Sequence, residues 1–156
     1  MLALVLYAAV SCAAYGVHVL GHLSSDVLGS AQSAFFSGRD QGTFVWDLAW
    51  AEHALAHLQN PLLTHAVFAP RGYNLAWAPS ILLPGLVASP LTALAGAVPA
   101  FNVLALLAPA LAGLGAFLLC RELTGSFAPS LAGGLLFGFS SYETAETISH
   151  LNLALV

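Results

Sequence analysis

Charge is what this chain has least of. Of its 156 residues only 6% are charged, none is lysine, and Arg39, Arg71 and Arg121 are the only arginines. A formal charge of −4 with three cations excludes nucleic-acid binding, because neutralising phosphates takes clustered Lys or Arg. Cysteine is equally scarce. Cys12 and Cys120 both lie inside apolar runs, which excludes a disulfide framework and reads as buried apolar thiol. Polar surface is lacking as well. The hydrophobic share is 59% and the mean hydropathy +0.86, beyond the roughly 45–50% apolar residues typical of soluble domains. Such a chain cannot coat a globule with polar groups, so lipid is its simplest solvent.

What charge there is falls between the apolar runs. Residues 1–23 form an apolar stretch long enough to span, since ~20 residues cross a bilayer core. It lacks the basic start of a signal peptide and runs on past Ser11-Cys12-Ala13-Ala14, which favours an uncleaved first transmembrane helix. Residues 24–97 read as a long external loop. Within it the spacing predicts an amphipathic helix over 43–58, with Thr43 as N-cap and Phe44, Leu48, Ala51, Leu55 and Leu58 along one face. Trp46 and Trp50 share a side of that helix, at the headgroup level where indoles concentrate. Asn60-Pro61 ends it, and Pro70-Arg71-Gly72-Tyr73-Asn74 reads as a turn.

Residues 80–96 are apolar but broken by Pro84, Gly85 and Pro90, and read as a re-entrant or juxtamembrane helix pair. Residues 98–156 hold two further spans, 100–120 (kinked at Pro109) and 127–139, with Gly133, Gly134 and Gly138 permitting close packing. A second external acidic loop with Tyr142, Glu143, Glu146 and His150 follows. The closing apolar Leu151–Val156 reads as the start of another span, so the chain is expected to be the N-terminal part of a larger protein. The fold class expected is all-α: a polytopic transmembrane helical protein with amphipathic juxtamembrane helices in its first loop.

If 80–96 does not cross, both acidic groups share the outer face. Asp40, after the first span, can take a proton from a hydroxyl nucleophile or hold a divalent metal, with Arg39 beside it. It also reads as a solvated loop carboxylate paired to that arginine. His53 and His57 share a helix face, and with His65 offer three imidazoles to a metal, although the order is not H-E-x-x-H. Water-facing or substrate-binding histidines are the other reading. Trp77 and Tyr73 are candidates for stacking on a sugar or a lipid headgroup. Glu143, Glu146 and His150 lie where a span ends, and His150 is one helical turn beyond Glu146.

One span, a long external loop bearing an Asp and aromatic amphipathic helices, Pro84-Gly85-Leu86, Leu107-Ala108-Pro109, the Arg121-Glu122-Leu123 turn and Gly138-Phe139-Ser140-Ser141-Tyr142-Glu143 follow one another in order. This order resembles the N-terminal module of the GT-C membrane glycosyltransferases, including oligosaccharyltransferase and the protein O-mannosyltransferases. The chain is also similar to polytopic membrane proteins of GC-rich bacteria.

The resemblance implies sugar transfer from a polyprenyl-phosphate-linked donor to an acceptor on the outer face of a bacterial plasma membrane. It implies catalytic roles for Asp40, Glu143 and Glu146, and substrate contacts from Arg39, His53, His57, Trp77 and His150. A divalent cation, Mg or Mn, would sit at Asp40 and Glu143 if at all. The family's Asp-Asn-Glu run is missing in the second loop, which puts that metal in doubt. The partners implied are the bilayer, the lipid-linked donor and the C-terminal transmembrane helices of a full-length protein. A transporter or channel subunit, with Asp40 and the histidines on an ion pathway, and a non-catalytic membrane scaffold are the alternatives. Ionisable groups are absent from 100–120 and 127–139, against the midplane sites expected of a transporter.

Overall fold

In the computed structural model the described residues are 1–29 and 40–155. Seven α-helices dominate them: α1 (Leu2–Tyr15), α2 (Asp40–Ala56), α3 (Leu82–Ala95), α4 (Ala97–Thr124), α5 (Phe127–Gly138), α6 (Ser141–Ser149) and α7 (Leu151–Ala154). A two-stranded antiparallel hairpin, β1 (Leu63–Thr64) with β2 (Tyr73–Asn74), pairs Leu63 with Asn74 and Thr64 with Tyr73. A 3-10 turn, Leu75–Trp77, follows it.

Among the described residues α4 alone is long and apolar enough to cross a membrane, with 28 residues and a mean hydropathy of 2.4 over its best window. Its first turn tolerates Pro99, because the first N–H groups of a helix have no partner within it. Gly125 stops it in left-handed backbone, φ 65°. The expected spans at 1–23 and 127–139 are shorter. α1 has 14 residues and α5 has 12, or about 21 and 18 Å of helix against a hydrocarbon core of about 30 Å. After α1 the chain turns at Gly16, whose carbonyl accepts from Val19 and Leu20 N–H.

Two further expectations change. α2 starts at Asp40 rather than Thr43, so Thr43 lies inside the helix and does not cap it. Residues 82–95 form one helix, not a broken pair. Pro84 falls in its first turn, and Pro90 is accommodated by its neighbour. The Leu86 carbonyl, which a residue-90 N–H would have reached, accepts instead from Ser89 Oγ at 2.7 Å. Gly85 lets α3 close on α2, since a Cβ there would stand 3.0 Å from Ala51 Cβ.

The small residues of α4 and α5 act as the sequence suggests. A Cβ on Gly134 would collide with the Tyr7 hydroxyl and stand 2.5 Å from the Gly113 carbonyl, and one on Gly138 would strike the backbone of Pro109 and Gly113. Tyr7 Oη donates to the Leu131 carbonyl at 3.0 Å, tying α1 to α5. Ser11 Oγ donates to the Leu106 carbonyl at 2.6 Å, tying α1 to α4.

Phe44 and Leu48 of α2, Ala88 of α3, Phe101 and Ala105 of α4, and Leu151 form one core with Leu28 and Ile81. This core sits at one end of α4. It brings the start of α2 against the end of α6.

Candidate functional site

Asp40 is the first residue of α2, and His150 is the residue that ends α6. The fold puts them together. Asp40 Oδ2 is 3.3 Å from His150 Nε2. The other ring nitrogen, Nδ1, is 2.9 Å from Glu146 Oε2, one turn back along α6. Glu146 Oε2 and His150 Nδ1 are closed off from solvent and, despite their closeness, do not meet the angles of a hydrogen bond. The imidazole thus lies between two carboxylates. Exposure runs from the outside in: the side chains of Asp40, His150 and Glu146 are 51%, 43% and 17% exposed.

Local structure explains the register. Ser140 caps α6, its Oγ accepting from Glu143 N–H at 3.3 Å. Residues 143, 146, 147 and 150 then share one face. Tyr15 Oη meets Thr144 Oγ1 at 2.8 Å, fixing α6 against the end of α1. Gln41 Nε2 donates to the Ile148 carbonyl at 2.6 Å, clamping α2 to α6 one residue from Asp40. Gly29, at φ 87°, passes so close to the same carbonyl that a Cβ would overlap it. Asn102 of α4, fully buried, accepts from Leu28 N–H at 2.8 Å and donates to the carbonyls of Leu23 at 3.0 Å and Asp26 at 2.7 Å. It pins residues 23–28 beneath the site.

The second acidic segment is helical rather than a loop, and its two glutamates share a face. Glu143 is buried along a groove beside α4, and burial followed by the charge of Glu146 raises its pKa. Its Oε1 has no hydrogen-bond partner. Asp40 meets His150 rather than Glu143. Among the described residues no three His, Cys, Asp or Glu side chains are grouped to hold a metal ion. The three-histidine site is therefore not assembled among the described residues.

The remaining sequence candidates lie elsewhere. Arg39 falls outside the described residues. His53 is 13 positions along α2 from Asp40, about 20 Å away at 1.5 Å per residue. His57 stacks on His53 at 4.0 Å between ring centroids, continuing a ladder of Trp46, Trp50 and His53. The expected Trp46–Trp50 pairing is present, at 6.1 Å and 4°. Trp77 is 85% exposed and makes none of the contacts joining Asp40, Glu146 and His150.

Sequence reasoning missed Gln41, Asn102 and Asp47. Asn102, two positions inside the expected span, is a lone amide in an apolar run, which is a readable signal of a buried polar tie. Asp47 gives the same kind of signal, since it stands three residues after Phe44 and four before Ala51, on the apolar side of α2.

Comparison with known proteins finds no family model that matches the chain, no similar curated protein and no similar solved structure.

Proposed function

We propose that this chain serves sugar transfer as a multi-pass membrane glycosyltransferase of the GT-C kind, acting on a polyprenyl-phosphate-linked sugar. The observation that carries the reading is the Asp40–His150–Glu146 relay, assembled from the start of α2 and the end of α6. Asp40 is the outermost member and can meet an incoming hydroxyl. In the transfer, Asp40 takes the proton of the acceptor O–H as that oxygen bonds to the anomeric carbon. The bond between that carbon and the phosphate oxygen breaks, and polyprenyl phosphate leaves with the electron pair. His150 holds Asp40 in place from one side, and Glu146 fixes the ring from the other.

Outward apolar side chains support a lipid setting beyond α4. Leu2, Val5 and Leu6 on α1, Leu83 and Leu94 on α3, and Leu136 and Phe137 on α5 are all exposed. With α1 and α5 as further membrane segments and α2 at the outer surface, the relay lies at the interface, where a lipid-linked donor presents its sugar. Arg39, His53, His57, Trp77 and Glu143 stay outside the proposed step.

The test is transfer itself. The protein is reconstituted in liposomes with a radiolabelled polyprenyl-phosphate sugar, and release of polyprenyl phosphate is followed. Asp40→Asn is expected to slow release by on the order of 10²–10⁴-fold, the range of a lost general base. His150→Gln should slow it less. Unchanged release in a folded Asp40→Asn protein removes Asp40 from the mechanism.

A further inference from the structure

A second cavity lies about 10 Å along α2 from Asp40, seven residues on. Its volume is about 490 Å³, and Trp46, Asp47, Phe68, Tyr73 and Leu75 are among its walls. Three of these are aromatic and one is a carboxylate. Among the described residues no basic side chain lines it.

Each wall is held in place. Trp46 is backed by Trp50, whose Nε1 donates to the Pro61 carbonyl at 2.9 Å. Tyr73 is fixed by the hairpin opposite Thr64. Phe68 meets it at 5.3 Å between centroids, tilted by 55°. Phe68 stands in left-handed backbone, φ 55°, and is 71% exposed. Side chains disfavour that conformation, so an aromatic kept there without burial is unusual. Its carbonyl accepts from Gly72 N–H at 3.1 Å, closing the loop that presents it.

Asp47 is only 4% exposed. Its Oδ2 accepts a long hydrogen bond, 3.4 Å, from Ile81 N–H. That bond does not offset burial, which pushes the carboxyl up to about 6. At neutral pH the group is still mainly an anion, and among the described residues no cation lines the cavity beside it.

A desolvated carboxylate beside three aromatic rings selects for one chemistry. Aromatic rings attract cations through their quadrupoles, and alkylated ammonium groups gain most because they are large and weakly hydrated. A neutral polyol would leave the carboxylate's charge unmatched, and an anion would be repelled. We propose that this cavity binds an alkylammonium group, with Asp47 as its counter-ion and Trp46, Phe68 and Tyr73 around it. The group can belong to a choline-type lipid headgroup or to a free amine. The site stands independently of sugar transfer.

The experiment is calorimetric titration of the protein in maltoside detergent with choline, and with 3,3-dimethyl-1-butanol as its uncharged isostere. Saturable choline binding is expected, with the isostere at least tenfold weaker. Asp47→Asn, which keeps an acceptor for Ile81, should lose at least tenfold. Phe68→Leu, at an exposed position, should lose several-fold with thermal stability unchanged, so a folding defect cannot mimic the result. Equal binding of the isostere, or choline binding untouched by both substitutions, overturns the proposal, as does an absence of binding to the native protein. Repeating the titration in nanodiscs separates the sources. Weaker choline binding in phosphatidylcholine than in phosphatidylglycerol assigns a lipid headgroup, and equal binding in the two assigns a free amine.

Discussion

Removing the amide of Asn102 should loosen the ground under the site. The side chain is fully buried and makes three hydrogen bonds, to Leu28 N–H, the Leu23 carbonyl and the Asp26 carbonyl. Asn102→Leu keeps the volume and removes all three. A buried donor or acceptor left unpaired costs about 1–3 kcal/mol. The Leu28 N–H suffers most, because it has a single proton to place, whereas each carbonyl retains a second lone pair. The sum is about 3 kcal/mol, or roughly a hundredfold in the opening equilibrium at 1.4 kcal/mol per decade. The loss is local, because α4 keeps its helical bonds through residue 102. Hydrogen exchange read by mass spectrometry reports it directly. The Leu28 amide should exchange about a hundredfold faster, while amides in the middle of α4 stay protected. Unchanged exchange at Leu28 in a folded Asn102→Leu protein refutes the claim that this amide holds residues 23–28 down. Uniformly faster exchange along α4 refutes its locality.

Gly134→Ala should destabilise the packing of α1, α4 and α5 by about 1–3 kcal/mol through overpacking, whereas Gly115→Ala, which opens onto free space, should be close to neutral; denaturation in mixed detergent compares the two. The raised carboxyl of Asp47 means that the folded state holds its proton more tightly than the unfolded chain. Stability should therefore be greatest below the ordinary aspartate range and fall as pH rises through about 6, and melting curves of Asp47→Asn should lack that slope. Tyr15→Phe removes the hydroxyl contact to Thr144 and should cost about 1 kcal/mol of thermal stability. Single cysteines at Gly42 and Tyr142, in a Cys12→Ala and Cys120→Ala background, should both react with an impermeant thiol reagent from one side of the membrane. Reaction at only one of them would separate Asp40 from α6.

Composition and periodicity were enough for the helical class. The apolar run at 100–120 is read correctly and merely extended, to Ala97–Thr124. The small residues at 133, 134 and 138 mark the close contact of α4 with α5, because only a missing Cβ allows that approach. Asp40 and the Glu146–His150 pair could be singled out, the latter because a spacing of four residues puts two side chains on one helix face. Element ends were less legible. The first turn of α2 is held against other helices by Gln41 and Phe44, a tie that the spacing from Thr43 onward does not reveal. A proline in 82–95 does not break the helix because the neighbouring Ser89 satisfies the freed carbonyl.

What the sequence determined by itself is local: which stretches are helical, which of them are apolar, and which carry ionisable side chains. Those properties depend on residues within a turn or two of each other. Only the tertiary structure decided which of these residues meet. Asp40 joins His150 across nearly the whole chain, while His53, on the same helix as Asp40, is left about 20 Å away because helices keep their own residues at fixed spacing. Asp47 likewise became a buried counter-ion only when Ile81 and the β1–β2 hairpin closed over it, since desolvation is a property of what packs around a group and not of the group itself.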